Sequence, residues 1–125
     1  MAKKVLKEQQ QETREIVKRI FNLALAINAN KTKQSTTGNK PTVFVDFSGH
    51  VAVVDVSIYR NGWGALDDES NITRYNIYLS DDFFTEWIDD YDPYPEEEEC
   101  EELLKAKAAL AELQKIADKW GIVNV

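Results

Sequence analysis

The chain reads as a single α+β domain spanning residues 1–125, a three-stranded antiparallel β-meander packed on helices in the order α-β-β-β-α-α. Three observations predict it. Apolar residues recur at helical spacing near both ends of the chain. Three short alternating runs rich in β-branched and aromatic residues lie between them, and turn residues separate the runs. With 125 residues, 43% of them hydrophobic and 10% aromatic, one domain can build its own core without a disulfide or a structural metal.

The first helix is expected from Lys3 to Asn28. Ile16, Ile20, Leu23 and Ile27 form its apolar stripe, widened by Val17, Phe21 and Ala24. Glu15 and Arg19 are spaced for an i,i+4 ion pair. Residues 1–12 offer little to bury beyond Val5 and Leu6 and read as a frayed or solvent-exposed start. Residues 29–41, rich in Asn, Lys, Thr, Ser and Gly, read as a mobile basic loop.

A hairpin follows. Val43, Val45 and Phe47 alternate onto one face of the first strand, and the second strand is expected over Val51 to Tyr59. A two-residue Ser48-Gly49 turn, with Gly supplying positive φ, would set Val45 opposite Ala52 and Val43 opposite Val54. That register puts Asp46 and Asp55 on separate rungs, so they are not read as an acid/base pair. A third strand from Arg74 to Leu79 turns Tyr75, Ile77 and Leu79 inward. Phe44, Val53, Tyr59 and Tyr78 then face away from the core, together with Val51. They form an apolar patch that either meets a partner or is covered by another helix.

Ser80 reads as the N-cap of a short helix with Phe83, Phe84, Trp87 and Ile88 on its buried side. The last helix is expected over Glu96 to Trp120, acids in its first turns and Lys115 and Lys119 near its end. Leu103, Ala106, Leu110, Leu113, Ala117 and Trp120 recur at spacings of three and four, a seam suited to antiparallel pairing with the first helix or to self-association. Gly121 is the expected left-handed residue after the helix, with Ile122 folding back.

Catalytic chemistry finds little to work with. His50 is the single histidine and sits beside a turn; Cys100 is the single cysteine and lies among glutamates, which disfavour a thiolate. Phosphate-binding and zincin motifs are absent, and the acids do not follow EF-hand spacing. The expectation is a protein with no catalytic residues, no cofactor and no metal. A lone thiol suits the cytoplasm. The start of the chain has no apolar signal core, and the longest apolar runs fall far short of the ~20 residues that cross a bilayer, so no membrane association is expected.

Charge is the unusual feature. The net charge of −7 is unevenly spread: residues 1–40 carry nine Lys/Arg against three acids, and residues 67–102 carry fifteen acids against Arg74 alone. Within the latter, Asp89, Asp90, Asp92, Glu96, Glu97, Glu98, Glu99 and Glu101 are interleaved with Tyr91 and Tyr94. This belt is either a solvated surface or one that competes with phosphate for a basic groove on a partner protein. Direct binding of nucleic acid by the basic first helix is not expected, because glutamates interrupt it and stacking aromatics are missing.

The stretch Phe47-Ser48-Gly49-His50-Val51, followed by Val56-Ser57-Ile58-Tyr59-Arg60-Asn61-Gly62-Trp63, resembles small phage and prophage accessory proteins of bacteria. The short, acidic α+β profile is also similar in style to anti-CRISPR and related phage inhibitors. The resemblance implies an inhibitor or accessory protein in the bacterial cytoplasm that binds a host or phage protein as a DNA mimic, and it implies no particular functional residue. The alternative is a self-associating scaffold, such as a homodimer through the outer sheet face or the helical seam.

Overall fold

The computed structural model describes residues 2–29, 41–60, 72–88 and 99–122. A short strand β1 (Ala2–Val5) leads into α1 (Lys7–Ala29). Three strands follow: β2 (Thr42–Ser48), β3 (Val53–Tyr59) and β4 (Ile72–Tyr78). A 3-10 turn (Asp81–Phe84), strand β5 (Thr85–Ile88) and helix α2 (Glu101–Trp120) complete the chain. The class is α+β as expected, and helix, antiparallel meander and closing helix come in the expected order.

The meander has strand order β2-β3-β4. Val43, Val54, Val56, Ile58 and Ile77 form its inner face and are buried against Ile20, Leu23, Ile27, Leu103, Ala106 and Leu113 of the two helices. The inward and outward faces are those the alternation predicts. The register is not: Val43 pairs with Ile58 and Val45 with Val56, four residues beyond the expected partners. Gly49, His50, Val51 and Ala52 make a four-residue loop, and the left-handed residue is Ala52 (φ 51°) rather than Gly49. Val51 therefore lies in the loop. Phe47, inward by alternation, sits at this hairpin end and is 56% exposed.

The two helices run parallel, not antiparallel. Cys100, which precedes α2, meets Gln9 near the start of α1; Lys107 meets Glu12 one turn on; Leu110 and Gln114 share a groove with Ile16 and Arg19 further along. Strand counting explains the direction. Val43 is tied to Asn28 at the finish of α1, and three alternating strands return the chain to Leu79, which is tied to Gln10 at the start of α1. The final helix must then run the way α1 runs. Its seam is consumed inside the molecule: Leu103, Ala106, Leu113 and Ala117 are buried, while Trp120 stays 36% exposed.

The expected short helix is only the 3-10 turn, which sets Phe84 at 0% exposure, worth about 2 kcal/mol of apolar burial. Ser80 precedes it without a side-chain cap bond, and Phe83 remains exposed. Trp87 and Ile88 belong to β5, which pairs antiparallel with β1, Ala2 opposite Ile88 and Val5 opposite Thr85. Residues 2–12 are thus neither frayed nor projecting. A ladder to a strand some eighty residues away outweighs the local helical pattern at both partners.

Each sheet edge is engaged by one helical side chain. Asn28 donates from Nδ2 to the Val43 carbonyl (2.7 Å) and accepts from the Val43 N–H (3.0 Å), imitating a neighbouring strand on β2. Lys105 Nζ donates to the Asn76 carbonyl of β4 at 3.0 Å. At the end of α2, Gly121 adopts φ 65°, and the Ile122 N–H returns to the Ala117 carbonyl at 2.8 Å, the expected reversal.

Candidate functional sites at the two ends and on the open sheet face

Because both helices start at one end, that end gathers two positive helix termini and draws acids to it. Glu8 lies in the first turn of α1, Glu101 and Glu102 in the first turn of α2. Asp81 and Asp82 are exposed on the 3-10 turn, and Glu99 is exposed beside Cys100. Neutral amides close the end beneath them. Gln9 Oε1 accepts the Cys100 N–H at 2.7 Å; Gln10 Nε2 donates to the Leu79 carbonyl at 3.0 Å and to Asp81 Oδ1 at 2.8 Å. Thr13, fully buried, donates to the Gln9 carbonyl.

Part of the acid belt is neutralised from within α2. Lys107 donates to Glu99 and lies 3.8 Å from Glu12; these carboxylates push its pKa up, its hydrogen bond to Glu99 most of all. Lys105 donates to Glu102 Oε1 at 3.1 Å and lies 2.9 Å from Oε2, out of hydrogen-bond line. Glu102 is consequently buried, while Glu101, 3.9 Å from Lys105, stays exposed. Asp89, Asp90, Tyr91, Asp92, Tyr94, Glu96, Glu97 and Glu98 lie outside the described residues, so the expected helical start at Glu96 does too. Glu15 pairs with Lys18 at 3.2 Å instead of with Arg19.

The outer sheet face carries Phe44, Val53, Tyr59 and Tyr78, as the alternation predicts. Phe44 is 41% exposed and meets Tyr59 edge-on at 5.6 Å; Tyr78 stacks on Phe83 at 4.4 Å. Val53 is buried. The true register overturns one expectation here: Asp46 lies directly opposite Asp55, with Asn76 next in the same row. Like charges on one rung destabilise a ladder by a few tenths of a kcal/mol or more. Neither carboxylate has an ion-pair partner among the described residues.

The opposite end holds a cavity of about 640 Å³ between α2 and the ends of β3 and β4. Its floor is a polar cluster that the alternation and heptad patterns did not reveal. Glu112, its side chain 18% exposed, accepts from Tyr75 Oη (2.8 Å), from Arg60 Nη2 and, at a long 3.4 Å, from Thr73 Oγ1. Burial first, then the hydrogen bond and charge of Glu112, push Tyr75 up to about 12, against a lowering by Arg60. Lys115, Ile116, Lys119 and Trp120 form the wall. The one legible signal was on the helix, where Glu112, Lys115 and Lys119 share a face at spacings of three and four.

His50 is exposed in the hairpin loop, and Cys100 is half-buried ahead of α2. No group of three or more His, Cys, Asp or Glu suited to a metal ion occurs among the described residues. No helix among them is long and apolar enough to cross a membrane. These features define an α+β protein with a three-stranded antiparallel meander under two parallel helices, acidic where the helices begin. No family model, curated protein or solved structure matches the chain.

Proposed function

We propose that the protein is a non-catalytic binding module that engages a basic surface on a partner protein through the end where its helices begin. The observation carrying this reading is the convergence there of exposed Asp81, Asp82, Glu99 and Glu101. Ile88 and Glu99, which flank the acidic residues 89–98, belong to the same end through β1 and Gln9. Two of these acids sit beside lysines of α2; Asp82 has no such neighbour. Carboxylates grouped in this way favour a groove shaped for phosphate, and association with it is steered by charge and weakens with salt. A phage-encoded inhibitor or accessory protein acting as a DNA mimic in the bacterial cytoplasm is the biological form this reading takes.

Self-association is the second reading, favoured by the exposed ring of Phe44 on the open sheet face. The Asp46–Asp55 rung opposes it, because a two-fold pairing of that face would bring four carboxylates together. The same rung suits a partner that brings cations.

The test is capture from a bacterial lysate at low and high salt, using the protein and an Asp82→Lys, Glu97→Lys, Glu98→Lys, Glu101→Lys variant. The unaltered protein retains a basic partner at low salt and releases it at high salt, and the variant retains none. Equal retention by both forms at every salt concentration would reject the acidic end as the binding surface.

A further inference from the structure

We infer that the cavity at the finish of α2 is a binding site for a small organic anion that carries a flat ring. Its volume of about 640 Å³ lies within the range of small-molecule sites. Charge sets the ligand's sign. Arg60 and Glu112 pair with each other, which leaves the Lys115 and Lys119 ammonium groups as the net charge of the lining among the described residues, in a protein of net charge −7. Neither lysine makes an ion pair or a hydrogen bond among the described residues.

The two lysines stand four residues apart on one helix face, a like-charge spacing that destabilises a helix by a few tenths of a kcal/mol. The helix macrodipole accounts for a cation in the last turn, where only Lys119 sits. Lys115 lies a turn earlier and faces the cavity with it. An anion between the two removes the repulsion.

The remaining wall sets the ligand's shape. Ala108, Ala111 and Ile116 give a low apolar surface, and Trp120 leaves its indole partly exposed at the rim. A planar ring lies against an indole more favourably than an aliphatic chain of equal area does. The Glu112 cluster contributes a fixed floor. Its carboxylate accepts three donors, and the Arg60 guanidinium beside it offsets its charge. A nucleoside monophosphate and an aromatic carboxylate share the required chemistry.

The experiment titrates the full chain separately with adenosine monophosphate, benzoate and inorganic phosphate, following the indole N–H resonance of Trp120, assigned through Trp120→Phe. At least one ring-bearing anion produces a saturable shift, and the double variant Lys115→Gln, Lys119→Gln weakens it about tenfold or more. Both lysines are exposed, so the double variant keeps the fold, which its amide spectrum verifies. A response to adenosine monophosphate alone, or to benzoate alone, supports the site and names its source. Three outcomes overturn the inference: no saturable shift with either ring-bearing probe at millimolar concentration, a shift unchanged in the double variant, or phosphate binding as tightly as the ring-bearing anions. A failed capture experiment at the acidic end leaves this result untouched, since the two ends share none of the altered residues.

Discussion

The two ends of the helix pair are organised by different side-chain clusters. Where the helices begin, Gln9 and Gln10 reach backbone groups of Cys100 and Leu79 and Thr13 bonds back to Gln9, while Lys105 reaches the Asn76 carbonyl of β4. Toward the finish, the Asn28 amide holds β2, and Arg60, Thr73 and Tyr75 converge on the Glu112 carboxylate. The difference follows from what each end already carries. A tie through an uncharged amide depends little on salt or pH, whereas a tie between charged groups is screened by salt. The cavity end has cations to spare and one partly buried carboxylate to organise them.

Removing Glu112 is the strongest way to break this contrast. Glu112→Ala takes the acceptor from the Tyr75 hydroxyl and the carboxylate from the Arg60 guanidinium in a partly buried setting, at a cost of about 2–3 kcal/mol in chemical denaturation. The same cluster makes the cavity end sensitive to alkali. Tyr75 is raised from 10.0 to about 12, so the folded chain holds a proton that the unfolded chain releases first. Its contribution is whole below pH 10 and is lost as the pH rises through about 12. Tyr75→Phe therefore loses less stability than the unaltered protein between those values. An identical alkaline decline in both would show that the tyrosine is not coupled to folding.

The amide ties where the helices begin respond more weakly and in another way. Gln9→Ala removes the only bond to the Cys100 N–H among the described residues and costs about 1–2 kcal/mol, with little dependence on salt. Glu112→Ala should instead narrow its gap from the unaltered protein as salt screens the Arg60 pair. Equal salt dependence at the two positions would erase the distinction between the ends.

How far the sequence foretold this arrangement depends on the range of each interaction. Sheet faces were legible because alternation is local, and a four-residue slip in the β2–β3 register leaves every side chain on the same face. For that very reason alternation could not detect the slip, and Asp46 and Asp55 were separated when they are rung partners. Helix direction was legible in principle, since an odd number of alternating strands dictates it, but the heptad seam reads the same either way. Gln9 and Gln10 looked like solvent-facing residues because their partners lie some seventy to ninety residues away. The Glu112 cluster joins residues 37 to 52 positions apart, and the spacing of Glu112, Lys115 and Lys119 on α2 marks a polar helix face without naming Arg60, Thr73 or Tyr75 as its partners. The lysines that neutralise part of the acid belt were nearer to hand: Lys105 stands three and four residues after Glu102 and Glu101, the ordinary helical ion-pair spacing.

The smallest effect concerns the hairpin loop that the two-residue turn misjudged. Ala52 holds φ 51°, a region costing a residue with a Cβ roughly 1–2 kcal/mol. It is kept there by its surroundings: its N–H donates to the Gly49 carbonyl, and its own carbonyl accepts from Leu79, whose carbonyl in turn accepts from Gln10. The strain therefore belongs to the acid-crowned end and is held by that end's backbone bonds. Ala52→Gly relieves it but gives the unfolded chain more freedom, a loss of roughly 0.4–1 kcal/mol. The net is a gain of about 0.5 kcal/mol, or about 2–3 °C in Tm. Ala52→Val, with a β-branched side chain at the same φ, should lower Tm. If both substitutions lower it, the loop's conformation costs nothing, and the bonds through Leu79 are not restraining Ala52 against its preference.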